Sequence, residues 1–252
     1  MPPLDDTLLQ AFIERFFGYG TWTAPVWFLG MEEGGGGTAE EVQRRIEAWS
    51  RRGCHELEDL FAYHQAIGVT RHIAERPALQ ASWAKMARVL LASRGGPVTT
   101  DAVRRYQRDE LGRWGGASCI AELLPLPSPR VDDWLYADHS AIPYLATRAA
   151  YRHELVAPRI TALQRRIDDH RPIAVVCFGR TYDPYWQQLA GAPLTEASAG
   201  YATAGRHGVT IFASHHPVAR GVTNDYFDSI GCAIARLTPP VEAPGSPVPS
   251  GA

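Results

Sequence analysis

The stretch PVWFLGMEEGGGG, residues 25–37, contains the pattern that decides the fold. Its first half, residues 25–31, is an apolar run of the length and composition of a strand buried on both faces. The run ends at two glutamates and four glycines, after which Thr38 and Glu41 form a capping box that predicts a helix toward Trp49. A buried strand that leads through a turn into a helix is typical of α/β proteins.

Three further apolar runs, residues 117–124, 173–179 and 209–214, repeat this pattern along the chain. Further helices are predicted from Asp101 to about Trp114 and over residues 151–169, although Pro158 within the second disfavours a continuous helix. Asn224 can cap a last helix that ends near Thr238. Strands that alternate with helices predict a three-layer α/β/α fold around a central four-stranded parallel sheet. We expect one domain over residues 1–238 and a disordered Pro-, Gly- and Ser-rich tail over residues 239–252.

The composition is that of a globular protein, with 45% hydrophobic and 21% charged residues. No membrane-spanning run or signal peptide is evident, so we expect a cytoplasmic protein. We also expect it to be a monomer. The four cysteines are widely spaced and form no Cys-x-x-Cys pair, so we expect no zinc or iron–sulfur site and no other cofactor. A net charge of −2 neither indicates nor excludes a nucleic-acid partner.

Candidate site residues lie where the predicted strands end, because ligands of parallel sheets bind beyond the carboxyl ends of the strands. These segments are residues 32–34, 122–130, 179–181 and 215–217. The acidic turn at Glu32 and Glu33 matches neither the G-x-G-x-x-G nor the P-loop pattern, and its charge disfavours nucleotide phosphates. Adjacent carboxylates can activate water or stabilise a cationic sugar, although a solvated acidic turn before a helix remains open.

The last segment, SHHPVARG at residues 214–221, contains a histidine fixed before a proline. His216 is well placed to donate a hydrogen bond to an anion, but a loop histidine without a role is the alternative. A metal site that combines Glu32, Glu33 and one histidine lacks any spacing signature.

Taken together, these segments resemble the uracil-DNA glycosylase superfamily, whose members carry motifs such as GQDPY or GMNPG after the first strand and an HPS-type motif near the end. LGMEEG matches LGMNPG, and SHHPVARG matches the HPSPR-type segment. SCIAELLPLPSPR and IAVVCFGRTY are similar to the second and third strands with their loops. The resemblance covers about residues 25–237 in order, and the best-fitting branch is one that removes modified cytosine from phage DNA.

The resemblance implies base flipping followed by hydrolysis of the N-glycosidic bond. Glu32 takes the position of the family's water-activating residue, with Glu33 beside it as a second catalytic candidate. His216 matches the histidine that stabilises the departing base. Arg220 in the last loop would bind a phosphate or fill the space that the flipped base leaves in the base stack. Arg180 and Arg130 are further DNA-binding candidates.

Two departures from the pattern point away from uracil. Glu122 replaces the asparagine that reads the pyrimidine edge, and an ionised glutamate accepts from the exocyclic amine of cytosine but repels a uracil carbonyl. Gly34 replaces the tyrosine that excludes 5-substituents in the best-known uracil enzymes, although the GMNPG relatives share this glycine. Because removal of ordinary cytosine would destroy the host genome, we expect a 5-substituted cytosine such as glucosylated hydroxymethylcytosine, and a role in antiviral defence.

The aromatic residue that stacks on the flipped base is not determined by the motifs. Phe61 is our first candidate, with Tyr63 as an alternative, and both also fit a hydrophobic core. Three functions stay open: a monofunctional glycosylase for modified cytosine, a uracil-DNA glycosylase of base-excision repair with Glu122 protonated or outside the pocket, and a catalytically inactive DNA-binding module.

Overall fold

The structure is a computed structural model that describes residues 4–130 and 132–237. The helices, in chain order, are α1 (Asp6–Arg15), α2 (Ala39–Arg51), α3 (Leu60–Ala66), α4 (Ala81–Ser93), α5 (Thr100–Asp109), α6 (Tyr136–His139), α7 (Arg148–His170), α8 (Asp183–Ala190) and α9 (Asn224–Ala235). The strands are β1 (Gly18–Gly20), β2 (Val26–Gly30), β3 (Leu57–Glu58), β4 (Ser118–Glu122), β5 (Ala174–Phe178), β6 (Thr195–Glu196), β7 (Ala202–Arg206) and β8 (Val209–Ser214). The predicted tail lies outside the described residues.

The α/β class is confirmed, but the sheet is mixed and contains eight strands in the order β3-β1-β4-β2-β5-β8-β7-β6. The four predicted strands pair in parallel as β4-β2-β5-β8. The antiparallel pairs join β1 to β4, β7 to β8 and β6 to β7. The four-stranded prediction was therefore too small, because the missed strands are two to five residues long and include the glycine-containing GYG and ATAGR.

The central strands form a buried core, as their unbroken apolar composition predicts. Phe28, Cys119, Val176 and Ala213 are fully buried. Every helix in the described ranges is too short or too polar to cross a membrane.

Helix boundaries differ from the sequence-based predictions where tertiary contacts intervene. α5 ends at Asp109 rather than near Trp114, since Gly112 turns the chain with a positive φ and packs against Leu60. α7 begins three residues earlier than predicted, where the side chain of Thr147 accepts from Ala150 N, and it continues through Pro158.

The last helix also differs at both predicted ends. The side chain of Thr223, rather than that of Asn224, caps α9 by accepting from Tyr226 N. The helix ends at Ala235, three residues before the predicted end.

Candidate functional site

A pocket of about 510 Å³ lies at the carboxyl ends of the parallel strands. In the parallel part of the sheet, β2 lies between β4 and β5, so the strand order reverses at β2. Ligands of open α/β sheets bind at such a switch point. The pocket brings together six of the predicted residues: Glu32, Glu33, Gly34, Glu122, Arg130 and His216.

Glu32 follows β2 and lies against the first two turns of α7. Its Oε2 accepts from Arg148 Nη2 at 2.6 Å, and its Oε1 is 3.6 Å from Arg152 Nη2. Burial raises the pKa of Glu32, and the two guanidinium groups oppose that rise. A carboxyl whose pKa moves toward neutrality is suited to take a proton from water.

Glu33 lines the same pocket, but its carboxylate is held by the protein. It accepts from Tyr19 Oη at 2.9 Å and from Arg45 Nη1 at 3.2 Å, and its Oε1 is 3.9 Å from His64 Nε2. Arg45 is buried and also contacts Glu41, whose Oε2 accepts from Gly37 N at 3.1 Å. These contacts indicate that Glu33 anchors the glycine-rich loop, in contrast to the catalytic assignment.

Glu122 ends β4 and is paired in register with Gly30 of β2. Its Oε2 is shielded from solvent and has no hydrogen-bond partner in the described part of the chain. Burial, followed by the negative charges of Glu33 and Glu32, raises the pKa of Glu122 well above its usual value, whereas Arg159 opposes the shift. Glu122 therefore favours the neutral acid, which can both donate and accept a hydrogen bond.

Replacement of Glu122 by glutamine is expected to remove a loss of stability that the wild type shows as the pH rises. Because the folded pKa is raised, folded Glu122 keeps a proton that the unfolded chain releases, and the stability that this group contributes falls as the pH rises above the ordinary value of 4.5. Glutamine does not titrate, so the unfolding free energy of Glu122→Gln relative to that of the wild type should grow as the pH rises above 4.5. Urea unfolding of both proteins over this pH range measures the difference in unfolding free energy. Exposed Glu75→Gln is the control, and an equal growth there would contradict the assignment.

Because Gly30 has no side chain, the side chain of Glu122 can occupy the space beside it. A Cβ at residue 30 would be 2.1 Å from Glu122 Oε2, whereas one at Gly34 would meet nothing within 4 Å. We expect Gly30→Ala to displace the Glu122 carboxyl group and to lower the unfolding free energy more than Gly34→Ala, which should leave it within about 0.5 kcal/mol. Urea unfolding of the two variants tests this, and equal losses would contradict the contact.

His216 follows β8, and its ring contacts its own loop. Nδ1 accepts from Val218 N at 3.4 Å, which leaves Nε2 to carry the proton of a neutral ring. Desolvation by the pocket walls lowers the pKa of His216, so the neutral form is favoured near pH 7. A neutral imidazole with a proton on Nε2 can donate a hydrogen bond to a developing anion.

Three other predicted residues lie away from this pocket. Phe61 is outside the lining of the pocket and packs beneath the guanidinium of Arg113, 4.8 Å away, so the structure does not bring it together with the other candidates. Arg180 is bound by Asp183 and Glu196, which removes it as a free phosphate ligand.

Arg220 is exposed and lines a separate hollow of about 370 Å³ beside His215 and Tyr226. Among the candidate DNA-binding arginines, Arg130 lies on the exposed rim of the main pocket.

Sequence reasoning missed the aromatic and basic walls of the pocket. Tyr19, Trp83, Phe178 and Tyr182 are its aromatic lining residues, contributed by β1, α4, β5 and the turn after β5. The basic wall is Arg148 and Arg152. With Arg159 and Arg166 these form a stripe spaced by four, seven and seven residues, which places all four on one face of α7. This spacing, visible in the sequence, could have predicted the basic wall of the pocket.

Comparison with known proteins returned no matching family model and no matching curated protein.

Proposed function

We propose that the protein is a monofunctional DNA glycosylase that flips a modified pyrimidine into this pocket and hydrolyses its N-glycosidic bond. The observation that carries the proposal is that Glu32, Glu122 and His216, from the ends of three parallel strands, line one pocket. We also propose that the helices cover both faces of the sheet in three layers, as in uracil-DNA glycosylases.

The proposed reaction assigns each group one task. As the bond between the base and C1′ of the sugar breaks, its electron pair leaves with the base, and Nε2–H of His216 donates to the base oxygen that gains charge. The carboxylate of Glu32 stabilises the cationic sugar and takes a proton from the water whose oxygen attacks C1′. The products are the free base, protonated from solvent, and an abasic site.

Glu122 is the proposed reader of the base edge. As a neutral acid, its hydroxyl can donate to N3 of cytosine while its carbonyl accepts from the exocyclic amine. Gly34 is exposed and has open space beside it, so a group at the 5-position has room there. The favoured substrate is therefore a 5-substituted cytosine, such as the glucosylated hydroxymethylcytosine of phage DNA, which also motivates the antiviral role.

The raised pKa of Glu122 also favours a second candidate substrate. A neutral acid can donate to O4 of uracil and accept from its N3–H, so the repulsion expected from an ionised glutamate is absent. Uracil excision in base-excision repair is therefore the alternative function.

One assay separates the candidates. Duplexes that contain uracil, cytosine or glucosylated hydroxymethylcytosine are incubated with the protein, and abasic sites are then cleaved with alkali. Breaks only at the modified cytosine support the favoured function, and breaks only at uracil support the alternative. Binding without an abasic product on any duplex indicates an inactive DNA-binding module and overturns both.

A bulky residue at position 34 should separate substrates by size. We expect Gly34→Tyr to lower kcat/KM for the glucosylated base by about 10²-fold or more, as for a close steric conflict, while activity on an unsubstituted pyrimidine changes little. Gly37→Tyr is the control, because residue 37 also has open space but lies outside the pocket lining. Equal losses with both variants, or equal losses on both substrates, would contradict the position assigned to the substituent.

A further inference from the structure

Two arginines on the pocket wall hold the proposed catalytic carboxylate. Arg148 and Arg152 are one turn apart on α7, and both face Glu32. The Oε2 of Glu32 is 2.6 Å from Arg148 Nη2. Guanidinium groups bind the paired oxygens of carboxylates and phosphates with the same geometry. A site shaped for this carboxylate is therefore also shaped for a phosphate.

Glu32 leaves hydrogen-bonding capacity in this site unused. Its side chain is only 9% exposed, yet its Oε1 is buried and accepts no hydrogen bond from the described residues. The Nε of Arg152 is likewise buried without an acceptor in residues 4–130 and 132–237. Buried polar groups are nearly always hydrogen-bonded in folded proteins. The unpaired donor of Arg152 is therefore suited to a further anionic ligand.

The balance of charge on this wall favours an anion. Glu32 is one carboxylate against two guanidinium groups, and exposed Arg130 adds a third cation at the rim. The other two carboxyl groups of the pocket do not offset this excess. Glu33 is bound to Arg45, and Glu122 favours its neutral form.

We propose that Arg148 and Arg152 form a subsite for a phosphate group of the DNA strand, next to the flipped nucleotide, and that Glu32 occupies this subsite in the free protein. Binding of the strand then displaces Glu32 from the arginines and releases it toward the sugar and the attacking water. The assignment of DNA as the ligand rests on the proposed function, whereas the anion site itself does not.

Binding to a duplex with a tetrahydrofuran abasic analogue tests the subsite without any base or turnover. In fluorescence anisotropy over a range of salt concentrations, Arg152→Gln should weaken binding by about tenfold and make the slope of log K against log salt shallower by about one. Glu32→Gln removes the competing charge and should tighten binding by roughly tenfold. Arg165→Gln, the same charge change at an exposed position of α7, should have a much smaller effect on affinity.

Wild-type affinity in both Glu32→Gln and Arg152→Gln would overturn the proposal and leave the arginines as positioning residues for Glu32. If Arg152→Gln does not fold, Arg152→Lys keeps the charge but loses the fork of donors, and it should still bind the duplex more weakly. Wild-type affinity in this variant would likewise overturn the proposal.

Inorganic phosphate is the probe that separates this inference from the proposed function. It should raise the melting temperature of the wild type, and that of Glu32→Gln further. If the duplex does not bind but this stabilisation depends on Arg152, the anion site stands and the DNA function fails. If the protein is an active glycosylase but Arg152→Gln changes neither its affinity for the duplex nor its stabilisation by phosphate, the proposed function stands and the subsite fails.

Discussion

Glu32→Gln is expected to lower the rate of base release by about 10²–10⁴-fold, the usual contribution of a positioned general base. Glutamine keeps the shape and can still accept from Arg148, but it cannot take a proton from water. Single-turnover measurement of abasic sites on the substrate found in the duplex panel gives this rate. Circular dichroism and urea unfolding should show an intact fold.

Glu33→Gln is the matched control, because the adjacent glutamate has different contacts. It should lower the unfolding free energy by about 1–3 kcal/mol, as Arg45 and Tyr19 lose a charged acceptor. The folded fraction should keep most of its activity. A large rate loss in Glu33→Gln with full activity in Glu32→Gln would move catalysis to the second glutamate.

Arg159→Met is expected to cause the largest loss of stability. The Arg159 side chain is buried, and its guanidinium donates to the carbonyl oxygens of Phe16, Glu122 and Leu123 at 2.9–3.0 Å. Burial lowers the pKa of Arg159 to about 9, so the group stays charged near pH 7. Methionine fills similar space but leaves three acceptors without a donor, each at a cost of about 1–3 kcal/mol.

Recovery of the desolvation penalty offsets part of that cost, so we expect a net loss of about 3 kcal/mol. For a chain of this size, such a loss lowers the melting temperature by about 6–12 °C. Differential scanning calorimetry measures it, with exposed Arg165→Met on the same helix as the control. A melting temperature equal to that of the control would show that water or backbone shifts replace the three bonds.

The features that could be predicted from sequence are those set by local patterns. Apolar runs located β2, β4, β5 and β8, and Thr38 marked the start of α2, because burial on both faces and capping leave direct signatures. The strand-end rule then brought Glu32, Glu122 and His216 to one place.

The features that could not be predicted depend on tertiary contacts. Whether Glu33 acts as a base or as an anchor depends on Arg45 and His64, which lie 12 and 31 residues further along the chain. The protonation of Glu122 depends on burial, which its position before a proline-rich loop does not reveal. Phe61 was placed by its distance from a motif, and that distance carries no information about the direction of a side chain.

The eight-stranded sheet ends on both sides in strands of only two residues, β3 and β6. Such an edge offers a neighbouring chain very few backbone groups for pairing, and both residues of β6 are exposed and polar, one of them charged. The strongly apolar segments that build the site lie between them, where no second molecule can extend the ladder. The strands most able to seed fibrils are thus enclosed by their own neighbours in the folded protein.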